Sequence, residues 1–309
     1  GWAGAATAAR AIEALAGAID IALPTFSDDV AIFGDHDPAA CAARWHALGA
    51  REVAVKLGGE GAFLSTPEGT AEVPAQPVAQ VADTTGAGDS FNAGYLAARV
   101  AEHYPWIEMW KPVNEPLTTA RFSCMYGHWY PHRTSFRDTL LALANECEGA
   151  LEAMRAIREV NPGALHVVTE DLGKTFSTPK LAYQARHENH RRWLSLDLLT
   201  GRVDDRHPFW PMLMQAGVKP SVLADLHQQE AAPDIIGINH YLTSERYLDE
   251  RAERYPGQPV GSNGIDAYVD VEAVRMPHLA GRTGPAARLR EAWDRYGIPL
   301  APVSYTHLT

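Results

Sequence analysis

Nine residues constrain this chain more than any others: Asp83-Thr84-Thr85-Gly86-Ala87-Gly88-Asp89-Ser90-Phe91. A turn of small residues runs into a helix start, and a carboxylate stands in the first turn of that helix. Backbone N–H groups of Gly86, Ala87 and Gly88 at a helix N-terminus can face phosphate oxygens, and the helix dipole adds attraction. Small side chains let a phosphate come close to the backbone. Asp89 then stands where a carboxylate can take the proton of an attacking hydroxyl while the amides stabilise charge on the transferring group. A plain turn, with Asp89 as an ordinary first-turn acid, is the competing reading. Nine residues in this order, after a suitable strand and turn, favour phosphoryl transfer.

The stretch before the motif alternates helix and strand. Residues 3–18 read as an Ala-rich helix, with Ile12, Leu15 and Ile19 at helical spacing. Residues 19–23 form an apolar run closed by Pro24, which suits a buried strand. Ser27-Asp28-Asp29 offers an N-cap and first-turn acids for a short helix ending at Gly34. Asp37-Pro38 starts another, with Asp as cap and Pro at the first helical position, and Leu48-Gly49 ends it. Residues 52–57 predict a strand, Gly58-Gly59-Glu60-Gly61 a tight turn into 62–65, and 70–73 a further strand. An Ala-rich helix follows the motif through Val100. This alternation predicts a mostly parallel, doubly wound α/β sheet.

With those elements in place, residues 83–91 resemble the C-terminal signature of the PfkB-type (ribokinase-like) sugar kinases. Val55-Lys56-Leu57-Gly58-Gly59-Glu60-Gly61 and Pro24-Thr25-Phe26-Ser27-Asp28-Asp29-Val30-Ala31-Ile32-Phe33-Gly34 fit the same family, and 2-dehydro-3-deoxygluconate kinases most closely. The resemblance covers residues 1–100 and corresponds to the later part of such a kinase. It implies Asp89 as general base, Gly86, Ala87 and Gly88 as anion hole, and Lys56, Gly58 and Gly61 on the nucleotide side. ATP with Mg2+ is the implied cofactor, and a small sugar or sugar acid the implied substrate. The family's Gly-rich sugar-binding signature would precede Gly1, which with the absence of an initial Met predicts a start further upstream. Its last helices would follow residue 100, where the sequence changes character.

From residue 101 the chain resembles glycoside hydrolase family 1. Trp106-Ile107-Glu108-Met109-Trp110-Lys111-Pro112-Val113-Asn114-Glu115-Pro116 carries that family's Asn-Glu-Pro, and Asp234-Ile235-Ile236-Gly237-Ile238-Asn239-His240-Tyr241-Leu242-Thr243-Ser244 its later Asn-x-Tyr strand. The resemblance spans residues 101–300, is closest to a divergent branch sometimes joined to a sugar-nucleotide reductase domain, and implies a partial TIM (β/α)8 barrel with strand ends carrying the site. It implies Glu115 as acid/base, Asn114 holding a sugar hydroxyl, and Asn239 and Tyr241 beside the nucleophile. Retaining hydrolysis needs two carboxyl groups about 5 Å apart. The second is expected from a Thr-Glu strand after Ile298-Pro299-Leu300, but the chain reads Ala301-Pro302-Val303-Ser304-Tyr305-Thr306-His307-Leu308-Thr309, without an acid. Glu170 comes too soon after Glu115 to replace it and reads as a strand-end polar residue. Lys111 stands close to the acid, where the family usually has a small residue.

Composition shifts where the resemblance does. The first hundred residues hold 27 alanines but only two of the eight tryptophans and two of the thirteen histidines, so two segments of different origin are the simplest reading. A net charge of -11 argues against nucleic acid or an anionic membrane surface as partner. Three cysteines without a CxxC read as free thiols, and no uncharged run is long enough for a membrane span; the expected location is cytoplasmic. No metal site is expected. His187-Glu188-Asn189-His190 has its histidines at i, i+3 rather than the zinc spacing of i, i+4, and with Arg191 and Arg192 reads as a solvated helix face. Pro131 places His128 and His132 in a loop. Trp106, Trp110, Trp129, Trp193 and Trp210 read as core more than as sugar platforms.

The join, residues 92–105, is one continuous helical pattern without a Pro, Gly or Ser-rich linker, unlike most domain fusions. Residues 301–309 resemble neither family and look like translated adapter sequence. Together these predict a recombined or artefactual chimera, truncated at both ends, with unpaired sheet edges that favour a molten or poorly soluble state. The leading functional expectation is an ATP-dependent sugar or sugar-acid kinase. The alternatives are a β-glycosidase lacking its nucleophile and a product without function.

Overall fold

The computed structural model describes residues 4–75, 87–228 and 231–305. The chain divides into two compact units, Gly1–Asn92 and Ala93–Thr309.

In the first unit, helix α1 (Ala5–Ala16) leads to a short strand β1 (Ile21–Ala22), helices α2 (Phe26–Phe33) and α3 (Pro38–Ala47), and strands β2 (Glu52–Lys56), β3 (Ala62–Thr66) and β4 (Gly69–Val73). Asp37 caps α3 as its sequence predicts: the carboxylate accepts the Ala40 N–H at 2.6 Å, with Pro38 at the first helical position. Such a cap stabilises a helix by about 1 kcal/mol. The cap of α2 is Thr25 rather than Ser27, and its side chain makes no capping bond.

The sheet order is β1-β2-β3-β4. β1 and β2 pair in parallel, with Ile21 opposite Glu52, whereas β2–β3 and β3–β4 are antiparallel. The sheet is therefore mixed rather than mostly parallel. The links after β2 and β3 are tight turns, too short for the crossover that a parallel neighbour needs. Gly61 makes the first turn possible. Its φ is +108°, and a Cβ there would lie 2.0 Å from the Val73 carbonyl oxygen, so no other residue fits. Val53 and Val55, fully buried on β2, pack with Ala22, Cys41 and Trp45. Each valine contributes about 1.5–3 kcal/mol by burial.

Helix α4 (Ala87–His103) runs without interruption through residues 92–103, as the join's helical pattern predicts. In the second unit, its Ala97 and Ala101 pack with Met154, Ile157 and Trp110. There follow β5 (Met109–Trp110), α5 (Pro116–Ala120), a π-helical turn (Arg121–Met125) and the 25-residue α6 (Phe136–Val160). Strands β6 (Leu165–Glu170) and β7 (Thr175–Ser177) precede helices α7 (Ala182–Arg191), α8 (Leu194–Leu199), α9 (Trp210–Ala216) and α10 (Pro220–His227). The unit continues with β8 (Ile235–His240), β9 (Arg246–Asp249), β10 (Val260–Ser262), β11 (Ala267–Glu272), α11 (Pro285–Tyr296) and β12 (Leu300–Tyr305).

Its main sheet, ordered β12-β8-β6-β5, is parallel throughout. Four adjacent parallel strands joined through helices make part of a (β/α)8 barrel wall. β8 is buried along nearly its whole length, as expected of a parallel strand covered on both faces. Buried residues of α5, α6, α8, α9 and α10, among them Leu140, Leu143, Leu151, Leu196 and Leu213, form the largest core with Val168 and Ile236 of the sheet. Gly237 lies where a Cβ would come within 2.5 Å of Thr169 Cγ2 and 2.8 Å of Val303 Cγ2, so the sheet closes only because that side chain is missing. A second sheet, β10-β11-β9-β7, has a small core of its own around Phe176, Tyr247, Val269 and Val271.

Two expectations change here, and one segment forms an element that was not expected. Residues 301–305, within the stretch that resembles neither family, belong to strand β12 of the main sheet; the register slips between Pro302 and Ser304, which accommodates a residue with no N–H to donate. Of the five tryptophans expected in cores, only Trp193 is buried, while Trp106 and Trp129 are 72% and 49% exposed. The α7 segment is not a solvated face: the His187 ring packs 5.3 Å from Phe209, Arg191 is buried against Glu188, and burial lowers the His187 pKa.

Candidate functional site

Of the kinase-type residues, Lys56 ends β2, and its backbone N–H donates to the Pro24 carbonyl at 2.8 Å. Its ammonium donates to Asn92 Oδ1 at 2.9 Å. Gly58 opens the turn after β2 with φ +62°, and Gly61 closes it against β4. Ala87, Gly88 and Asp89 occupy the first turn of α4, so Asp89 is one helical turn before Asn92. Residues 83–86, including Gly86, and the side chains of residues 87–90 lie outside what is described. The structure thus brings Lys56 to the helix that carries Asp89, through Asn92, a contact the sequence reading missed.

Asp29, Asp35 and Cys41 bring three possible metal-ligand atoms within 4.8 Å of one another. The Arg44 guanidinium occupies the same place, paired with both Asp29 and Asp35, while Trp45 Nε1 donates to Asp29 at 2.6 Å. Burial and the Asp29 hydrogen bond push the Cys41 thiol up, away from the thiolate. A neutral thiol and a resident guanidinium do not suit Mg2+, which prefers oxygen donors in an octahedron. The trio is an ion-paired core of the unit.

In the second unit the two motif strands do meet. A parallel bridge between Asn114 and Thr169 extends β5 along β6, and the Glu115 N–H donates to the Thr169 carbonyl at 3.1 Å. Glu115 has φ +49° at the start of α5, an unusual backbone for a residue with a side chain. Asn239, near the end of β8, donates through Nδ2 to Glu115 Oε1 at 2.7 Å. Asn114 Oδ1 accepts from Thr169 Oγ1 and from Lys111 Nζ, both at 2.8 Å. Burial first, then the charge of Asp171, raise the Glu115 pKa; the Asn239 bond and Lys111 oppose them.

Beside Asn239, the hydrogen-bond partner of Glu115, lies β12. Ser304 on β12 is the register partner of Asn239, and its hydroxyl accepts from the Tyr241 hydroxyl at 3.0 Å. Among the described residues β12 carries no carboxylate. Glu170 does not replace one: it is fully buried, accepts the Leu117 N–H at 2.8 Å, and is pushed up to about 8, mainly by burial. Glu146 on α6 is likewise raised to about 8, by burial and then by Glu170. Sequence reasoning missed Ser304 because nothing in residues 301–309 signalled a strand. It passed over Asp171 although that acid directly follows Glu170, and its Oδ1 is buried without a hydrogen-bond partner among the described residues.

Residues 2–118 match the family model of the pfkB family carbohydrate kinases. Within that part, the 2-dehydro-3-deoxygluconokinase of Escherichia coli K12 is 45% identical over 84 residues, 26% of this chain and 27% of that protein. The chain therefore spans about a quarter of the length of the curated relatives it matches. Two solved structures resemble the fold over most of the chain. A β-glucosidase from Thermotoga maritima in complex with deoxynojirimycin has a TM-score of 0.51 at 14% identity, covering 70% of this chain and 48% of that one. The virulence factor SghA from Agrobacterium tumefaciens has a TM-score of 0.52 at 15% identity, covering 72% and 49%. The N-terminal part is thus similar in sequence to pfkB-type carbohydrate kinases, and the larger part is similar in fold to these two structures.

Proposed function

We propose that the kinase-type part takes part in ATP-dependent phosphoryl transfer to a sugar or sugar acid, with 2-dehydro-3-deoxygluconate as first candidate. The observation that carries this reading is the placement of Asp89 in the first turn of α4, on the helix to which Lys56 is tied through Asn92. In this reading Gly86, Ala87 and Gly88 offer N–H groups to the transferring phosphate, Asp89 takes the proton of the sugar hydroxyl, and Lys56, Gly58 and Gly61 border the nucleotide. ATP with Mg2+ is the phosphoryl donor it implies. ADP release that depends on 2-dehydro-3-deoxygluconate is expected from the purified chain, and Asp89→Asn is expected to reduce it by about 10²–10⁴-fold. Equal ADP release from the variant, or release independent of the sugar acid, would remove Asp89 from this role.

A second reading concerns the barrel part alone. The Asn239 Nδ2 hydrogen bond, which orients the Glu115 carboxyl group, and the burial that raises its pKa against that bond support Glu115 as an acid/base group at a sugar site. Ser304 in place of the opposing acid supports a site that holds a β-glycoside without cleaving it. Asn114, Asn239 and Tyr241 are its proposed sugar contacts.

A further inference from the structure

We propose that the second unit binds a small phosphorylated sugar in a basic cavity separate from the Glu115 cluster, between β7, β9, α7 and the segment that leads into α11. The cavity measures about 610 Å³, within the size range of small-molecule sites. Lys174, Arg186, Arg192, Arg282 and Arg295 line it, and no carboxylate does. In a chain of net charge -11 this is a local reversal of sign, of the kind that concentrates anions.

Three of the five cations have internal partners. Lys174 and Arg192 share Glu291 at 2.5 and 2.7 Å, and Arg295 pairs with Asp197 at 2.6 Å. Arg186 and Arg282 form no ion pair among the described residues, and both are exposed. Two free guanidiniums are what a phosphate monoester, a dianion with three acceptor oxygens, requires; each offers a fork of N–H donors. The remaining lining suits a ring. Phe176 contributes a face already approached by Lys174 Nζ at 5.8 Å and by the Arg282 guanidinium at 5.5 Å from its centroid. Tyr247 and His278 meet edge to face at 5.2 Å in the same wall, and Trp193 adds a fourth ring. Aromatic faces with cations at the rim fit a sugar phosphate better than a bare anion, which would leave those faces unused.

The probes are glucose 6-phosphate, glucose and inorganic phosphate, each titrated calorimetrically into the full chain and into an Arg186→Gln, Arg282→Gln double variant. Both arginines are exposed and free of ion pairs, so the variant's melting curve is expected to match the parent's. Glucose 6-phosphate should bind the parent at one site, with glucose and inorganic phosphate each at least about tenfold weaker; the double variant should lose about tenfold or more for the sugar phosphate. No saturable binding of glucose 6-phosphate, or unchanged affinity in the double variant, would overturn the site. Equal affinity for inorganic phosphate would overturn the sugar. Binding at the kinase motif would survive the double substitution, so it cannot be mistaken for this site.

Discussion

Glu146 and Glu170 show most plainly how residue-level chemistry departs from a reading of residue types. Both carboxyl groups are raised to about 8, chiefly by burial; the charge of Glu170 adds to the effect at Glu146, and those of Glu115 and Asp171 add to it at Glu170. An acid whose folded pKa lies above its unfolded value, near 4.5, stabilises the fold fully below that value and loses its contribution as pH rises through about 8. The thermal midpoint of the second unit is therefore expected to fall between pH 5 and pH 8. Glu146→Gln should flatten that decline, because Glu146 Oε2 has no partner to lose among the described residues and a neutral amide has no charge to desolvate. A variant whose midpoint falls as steeply as the parent's would contradict this assignment. Nothing in the sequence marked Glu146: it sits on a long helix whose buried stripe is visible only once its neighbours are in place.

At the scale of elements, legibility followed local chemistry. Asp37-Pro38 announced the start of α3, and the Asn114-Glu115-Pro116 and Asn239-His240-Tyr241 motifs proved to be neighbours, joined at Glu115 by Asn239. The direction of β3 was not legible, because alternation of helix and strand says nothing of a hairpin closed by Gly61. Strand β12 was hidden by Pro302 and by a composition that matched no family. Its register makes a specific prediction. With Ser304 opposite Asn239 and bonded to Tyr241, Ser304→Glu puts a carboxylate on the strand facing Glu115's partner. Hydrolysis of an aryl-β-glucoside is expected to appear in this variant and to vanish when Glu115→Gln is added, by at least about 10²-fold. A Ser304→Glu protein that still binds but never hydrolyses the glycoside would show that β12 does not present its side chain to the sugar.

At the scale of the whole molecule, each unit has its own apolar interior. Val53, Val55 and Trp45 hold one; the leucines of α6 and α8 against Val168 and Ile236 hold the other. Two calorimetric transitions are expected on heating, the second alone shifting with pH, and one cooperative transition would contradict the division at Asn92. Composition and motifs both change near residue 100, and two strands show exposed side chains. β4 is exposed along its length, and Val303 on β12 is 48% exposed. The basic cavity was not legible, since its cations come from four separate stretches of chain, none of them clustered in sequence. One consequence of the buried acids extends beyond stability. A chain that neutralises Glu146 and Glu170 in order to enclose them draws protons from its buffer as it folds near neutrality. For the second unit, hydrogen ions are reactants of folding, consumed in a stoichiometry that the interior of the barrel sets.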